Sequence, residues 1–234
     1  MSTVPLALSL AFGLTTALAV GLFYRAAHQS RPTLYLLLAW LAGQGAVAGT
    51  GFFSGAPQAL PPRLALVLAP ALLLIATLFL TARGRAYLDA LRPEWLTLLH
   101  VVRVPVELVL LGLFLHGAVP QLMTFEGRNW DILSGLSAPV VWYLAFRRPR
   151  LSPTALLVWN GLCLALLLNV VFYAVLAVPS PVQRFGFGQP NVAVLHFPFV
   201  WLPGCVVPLV LLAHLAAIRQ LVRARRLAAT PVNG

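Results

Sequence analysis

Seven runs of about 20 predominantly apolar residues, separated by short polar gaps, constrain this chain more than any other feature. A run of that length crosses the hydrocarbon core of a bilayer as an α-helix, at 1.5 Å per residue. The runs fall at 4–24, 34–54, 64–82, 97–117, 130–146, 153–178 and 197–218. Backbone polar groups in lipid find no water, so each run has to satisfy its own N–H and C=O groups, and a helix does this. The expectation is an all-α bundle of about seven transmembrane helices, forming a single membrane domain over 1–226 with a short cytoplasmic tail at 227–234. The run at 130–146 is the shortest and contains Pro139, so a re-entrant fifth segment would reduce the count to six.

Charge placement orients the bundle. All 16 basic residues are arginine, against five acids, for a formal charge of +11. Twelve arginines occupy alternate gaps and the C-terminal segment: Arg25, Arg31, Arg83, Arg85, Arg92, Arg147, Arg148, Arg150, Arg219, Arg223, Arg225 and Arg226. The intervening gaps hold three, Arg63, Arg128 and Arg184. The positive-inside bias therefore predicts an N-terminus outside and a C-terminus inside. It also accounts for the basic excess by anionic lipid rather than nucleic acid. No basic side chain precedes the first run, so it reads as a retained helix rather than a secretory signal. Helical spans point to a bacterial cytoplasmic (inner) membrane, since outer-membrane spans are strands. With no lysine, the chain cannot hold retinal or pyridoxal through a Schiff base. Cys163 and Cys205 both fall within apolar runs and form no zinc-finger spacing.

Local signals agree with these spans. Ser152-Pro153 supplies a capping hydroxyl followed by proline at the first helical position. Gly45, Gly49, Gly51 and Gly55 form small-xxx-small pairs suited to close approach of a neighbouring helix.

Ionisable groups inside a bilayer cost roughly 2.5–3.5 kcal/mol each on insertion scales, so those present mark a candidate site. His100, Arg103 and Glu107 share one face of the fourth span by their i, i+3, i+7 spacing, with Pro105 freeing the Val101 carbonyl. His214 and Asn160 lie at comparable depth on other spans. These five form the expected substrate site: Arg103 holds an anionic group, Glu107 exchanges a proton, and His100 or His214 relays it. The alternative is a structural Arg103–Glu107 ion pair that fixes helix packing.

A second cluster lies toward the other face. His116, Glu126, Asp131 and His196 are the nitrogen and oxygen donors of a candidate zinc or non-haem iron site. Asp131 is equally suited to cap the fifth span, Trp130 to the interfacial aromatic belt, and Glu126 to pair with Arg128. His100 and His214, on separate spans, meet the minimum for axial haem ligation. His28 reads as a solvated loop residue. Between Gln183 and Pro208, Gly186, Gly188, Pro190, Pro198, Pro203 and Pro208 interrupt an apolar run, as in broken helices around transport sites.

The dipeptides Pro57-Gln58 and Pro120-Gln121 resemble those of the seven-helix PQ-loop transporters, but both lie in outer connections and no three-helix repeat accompanies them. Three functions follow from the residues: binding or proton-coupled transport of a small anionic or lipid-like substrate, an intramembrane metal- or haem-dependent enzyme, and a non-catalytic subunit or assembly factor. The substrate, the partners and the oligomeric state have no signature in the sequence.

Overall fold

The computed structural model describes residues 4–229, all of whose regular structure is helical. Among the described residues nine α-helices follow one another: α1 (Leu6–Ala26), α2 (Arg31–Gly49), α3 (Arg63–Leu80), α4 (Ala82–Ala90), α5 (Pro93–Leu99), α6 (Arg103–Leu115), α7 (Ile132–Trp142), α8 (Pro153–Leu176) and α9 (Val207–Ala229). Among the described residues five helical stretches are long and apolar enough to cross a membrane: α1, α3, Pro93–Leu115 (α5 with α6), α8 and Leu202–Leu227. The helix α2 has the length, but Arg31, Gln44 and three glycines dilute its hydropathy. Ile132–Arg147 is a shorter apolar helix, as its proline and the polar segment before it require. The expected tail is helical as far as Ala229, and its residues 230–234 lie outside the described part of the chain.

Prolines set the irregularities. Pro105 has no amide to donate to Val101, and the chain tightens to a 3-10 turn over His100–Val102 between α5 and α6. Pro208 likewise leaves the Gly204 carbonyl without its i+4 donor, within a π-helical turn at Leu202–Val206. The Trp40 indole N–H fills that position at 2.7 Å, which fastens α2 to the start of the last helix. Ser152 caps α8 by accepting from the Ala155 amide at 3.1 Å. The α2 glycines differ from the expected helix-to-helix seam. Gly45 faces the rings of Phe197 and Trp201, nothing lies within 4 Å of a Cβ at Gly49, and the helix ends there.

The connections gather at two ends. At one, the Arg92 amide donates to the Ala26 carbonyl, Gln220 donates to the carbonyls of Leu88 and Leu91, and Asp89 receives Arg219 and Arg223. His28 belongs to this end and is bonded rather than merely solvated: its Nε2 donates to the Ala90 carbonyl at 2.8 Å. At the other end, Val192 and Ala193 donate backbone amides to the Ala118 carbonyl, and Gln189 donates to Phe114 and Val119. The first end carries the twelve arginines, the second carries three. The core, from Phe12 and Leu99 to Phe199 and Ala213, lies between them, and leucines such as Leu14, Leu73 and Leu162 face outward. Some thirty large apolar side chains among the described residues are exposed, an outer surface suited to lipid rather than water.

Candidate functional site

The site begins where α7 crosses the start of α6. A Cβ at Gly135 would lie 2.8 Å from Val104 Cγ2 and 2.9 Å from the Val104 amide nitrogen, so glycine is what lets the α7 backbone come this close. That approach delivers Asp131, which precedes α7, to Arg103. Asp131 occupies the cap position but makes no cap hydrogen bond; its Oδ1 accepts from Arg103 Nη1 at 2.8 Å. Both side chains are buried, 3% and 7% exposed, so this is a desolvated ion pair. Arg103 Nη1 also donates to the Cys163 carbonyl of α8 at 3.2 Å, and Nη2 to His214 Nε2 of α9 at 2.9 Å. One guanidinium thereby joins α6, α7, α8 and α9.

These contacts fix the His214 tautomer. Arginine has donors and no acceptor, so Nε2 of His214 accepts and carries no proton. The proton therefore sits on Nδ1, which donates to Asn160 Oδ1 at 3.0 Å. Asn160 Nδ2 in turn donates to the Leu156 carbonyl at 2.9 Å, an assignment consistent along the whole chain of bonds. The His100 ring stacks on His214 with centroids 3.8 Å apart and planes inclined by 15°. Trp159 meets the His100 ring edge-on at 5.6 Å and donates its indole N–H to Ser137.

Glu107, one turn further along α6, has one carboxyl oxygen bonded and one not. Its Oε1 accepts from Asn129 Nδ2, which also donates to the Met123 carbonyl at 2.9 Å. Asn129 Oδ1 accepts from the Asp131 backbone amide at 3.1 Å, so this asparagine ties the Glu107 carboxyl to the backbone at Asp131. Glu107 Oε2 is buried without a hydrogen-bond partner among the described residues, as is Asn191 Oδ1. Both residues line a cavity of about 60 Å³ between α3, α6, α8 and the last helix, together with Asp131 and apolar side chains such as Leu68, Val106, Leu110 and Val171. At roughly 10–15 Å³ per water on this measure, such a space takes a handful of waters or part of an apolar chain.

The structure thus brings together all five expected substrate-site residues in one region, with different connections. Arg103 pairs with Asp131, not with Glu107, because Asp131 approaches the end of the guanidinium from α7. Both terminal nitrogens of Arg103 are engaged, and Nε alone lacks a partner, which leaves this arginine poorly placed to hold an anion.

His116, Glu126, Asp131 and His196 are not brought together. His116 donates Nδ1 to the Gly112 carbonyl of its own helix, Glu126 is exposed, Asp131 is held by Arg103, and His196 lines a separate cavity beside Phe53. Among the described residues no group of three or more His, Cys, Asp or Glu is placed to hold a metal ion. These four do not fit zinc or non-haem iron. Haem fits no better at His100 and His214, because their rings lie face to face and direct their nitrogens sideways, whereas axial ligands point theirs at one iron. Glu126 does not take Arg128, whose Nη1 donates to the Tyr173 hydroxyl at 3.0 Å.

Asn129, Asn191 and Trp159 are site residues that spacing alone missed. Asn129 and Asn191 precede or follow apolar runs and have no periodic relation to Arg103. A charge balance was the available signal for Asp131: a buried arginine needs a carboxylate, and few acids are at hand.

No curated protein and no solved structure matches this chain. A family model described as "Domain of unknown function (DUF8737)" matches residues 60–222, more than half of the chain, and that span contains every site residue named above. The chain belongs to this DUF8737 family.

Proposed function

We propose that this protein is a seven-span helical protein of the bacterial cytoplasmic membrane, with the N-terminus outside and the arginine-rich end inside, that binds and exchanges a small lipid-like molecule at Glu107. The α2 and α7 segments complete the span count, and the division of twelve arginines from three supports the orientation. The observation that carries the functional reading is the buried, unpartnered Oε2 of Glu107 at the polar end of an apolar cavity. Leaving a buried acceptor unsatisfied costs about 1–3 kcal/mol, which a ligand's donor group recovers.

The mechanism follows from the balance of charge. Asp131 is neutralised by Arg103, whereas Glu107 has a neutral partner, Asn129. Glu107 is completed either by a proton on Oε2 or by a hydrogen-bond-donating, cationic head group at the same atom. Each excludes the other, which is the smallest unit of proton-coupled exchange. Apolar walls fit the tail of such a molecule, and the engaged guanidinium favours an amine over an anionic head.

Saturable binding of dodecylamine to the protein in nanodiscs tests this, with dodecanoate as the comparison. Dodecylamine binding that weakens in Glu107→Gln, with no dodecanoate binding, is the expected result. A preference for dodecanoate returns the anion-binding role to Arg103. Binding of neither probe favours a second reading, in which the four-helix Arg103 network serves assembly alone.

A further inference from the structure

The Glu107 cavity is one of three that share walls. A second, of about 110 Å³, shares Leu64, Leu68 and Val175 with it. A third, of about 290 Å³, shares Leu64, Val178 and Ser180 with the second and extends to His196 and Arg63. The three widen toward the arginine-poor end of the bundle, and Leu64 is the wall common to all of them. Polar atoms mark the same line. Ser180 Oγ, at the junction of the outer two cavities, is buried with no partner among the described residues, like Asn191 Oδ1 and Glu107 Oε2 further in. Three of the buried polar atoms without a partner among the described residues thus lie along adjoining cavities, the arrangement that a wetted or ligand-lined passage requires.

We infer that the wide cavity beside His196 is the mouth of an access route to Glu107, and that Leu64 is the constriction that separates mouth from site. This rests on the reading of Glu107 as the ligand's acceptor, and it adds the side of access and the residue that limits it. Leu64 is 5% exposed and sits in the first turn of α3, just after Pro62 and Arg63. Arg63 lines the wide cavity and is engaged there: its Nη1 donates to the Phe52 carbonyl, and its guanidinium lies over the Phe52 ring at 4.4 Å. The mouth is mainly apolar, with the Arg63 guanidinium engaged by Phe52 and with the Ser180 hydroxyl and the His196 ring among its few other polar groups. An apolar side chain at the neck of a narrow passage closes it by excluding water.

Cysteine accessibility tests this on the full chain in oriented membranes. Cys163→Ala and Cys205→Ala form the background, since both native thiols are buried and Arg103 uses the Cys163 carbonyl, not its sulfur. Single cysteines then replace Ser180 at the mouth and Leu68 beyond the neck. A membrane-impermeant cationic methanethiosulfonate should label Ser180→Cys quickly from the arginine-poor face and hardly at all from the other. Leu68→Cys should label slowly from that same face, severalfold faster with Leu64→Ala and severalfold slower with Leu64→Trp. Labelling of Leu68→Cys that ignores both Leu64 variants, or that is faster from the arginine-rich face, overturns the route. The two neck variants push in opposite directions, so a folding defect in one leaves the other decisive. The labelling does not involve Glu107, so it can fail while amine binding stands, and the reverse.

Discussion

Two arginine–aspartate pairs in this molecule have the same length and opposite surroundings. Arg103 meets Asp131 at 2.8 Å inside the bundle, with both side chains below 8% exposure. Arg219 meets Asp89 at 2.8 Å at the arginine-rich end, with 27% and 16% of the side chains exposed, and Arg223 joins from the next turn. Distance alone ranks the pairs equal. Burial separates them, because water and salt screen the second far more than the first. The inner pair is costly to break and contributes little over an apolar replacement, whereas the outer one is cheap to break and cheap to keep.

The largest effect should come from removing one inner partner. Asp131→Ala strands a buried guanidinium, and the expected loss is about 3–5 kcal/mol, read as a sharply lowered Tm in detergent. Arg103→Met together with Asp131→Leu removes both charges and should recover most of that loss. If the double variant is as unstable as the single one, the remaining partners of Arg103, His214 and the Cys163 carbonyl, hold the fold more firmly than the ion pair does.

Next in size is Gly135→Ala. The added methyl meets both a side chain and a backbone nitrogen of Val104 at under 3 Å, and backbone yields little. Overpacking of this kind costs about 1–3 kcal/mol. It should also lengthen the Arg103–Asp131 contact, so Gly135→Ala and Asp131→Ala should be less than additive in a double-mutant cycle. Additive losses would mean that the α7 crossing and the ion pair are independent.

These expectations also show what the sequence held. Membrane spans were legible because 20-residue apolar runs are a local signal, and α1, α3, α8 and the span of α5 with α6 lie close to where the runs put them. His100, Arg103 and Glu107 were legible as one face because helical periodicity is local too. Asp131 was assigned to the wrong cluster because its partner is 28 residues away and its chemistry depends on how closely α7 crosses α6, which turns on a glycine. Asn129 was hidden for the same reason: a neutral amide gives no signal until a carboxylate is placed against it. His116 and His196 looked like ligands because residue type was all that could be weighed, and their bonding to nearby backbone or their separate cavity is settled in three dimensions.

The smallest effect belongs to the outer pair, and it is the one that pH and salt can dissect. Hydrogen bonding from Arg219, reinforced by the positive charges of Arg219 and Arg223, holds the Asp89 carboxyl below its usual range. A depressed carboxyl stabilises the folded state above its unfolded pKa of about 3.9, and that contribution is lost as pH falls through the lower folded value. Asp89→Asn should therefore lower Tm slightly at pH 7, and the difference from the parent should shrink and vanish in acid. Added salt should shrink it as well, since the Debye length falls from about 10 Å at 0.1 M to 3 Å at 1 M. Asp131→Ala, measured beside it, should keep most of its deficit in 1 M salt because Arg103 is buried among four helices. Equal salt sensitivity of the two variants would mean that solvent penetrates to the inner pair, and the contrast between the two regions would then be one of degree in hydration rather than of burial.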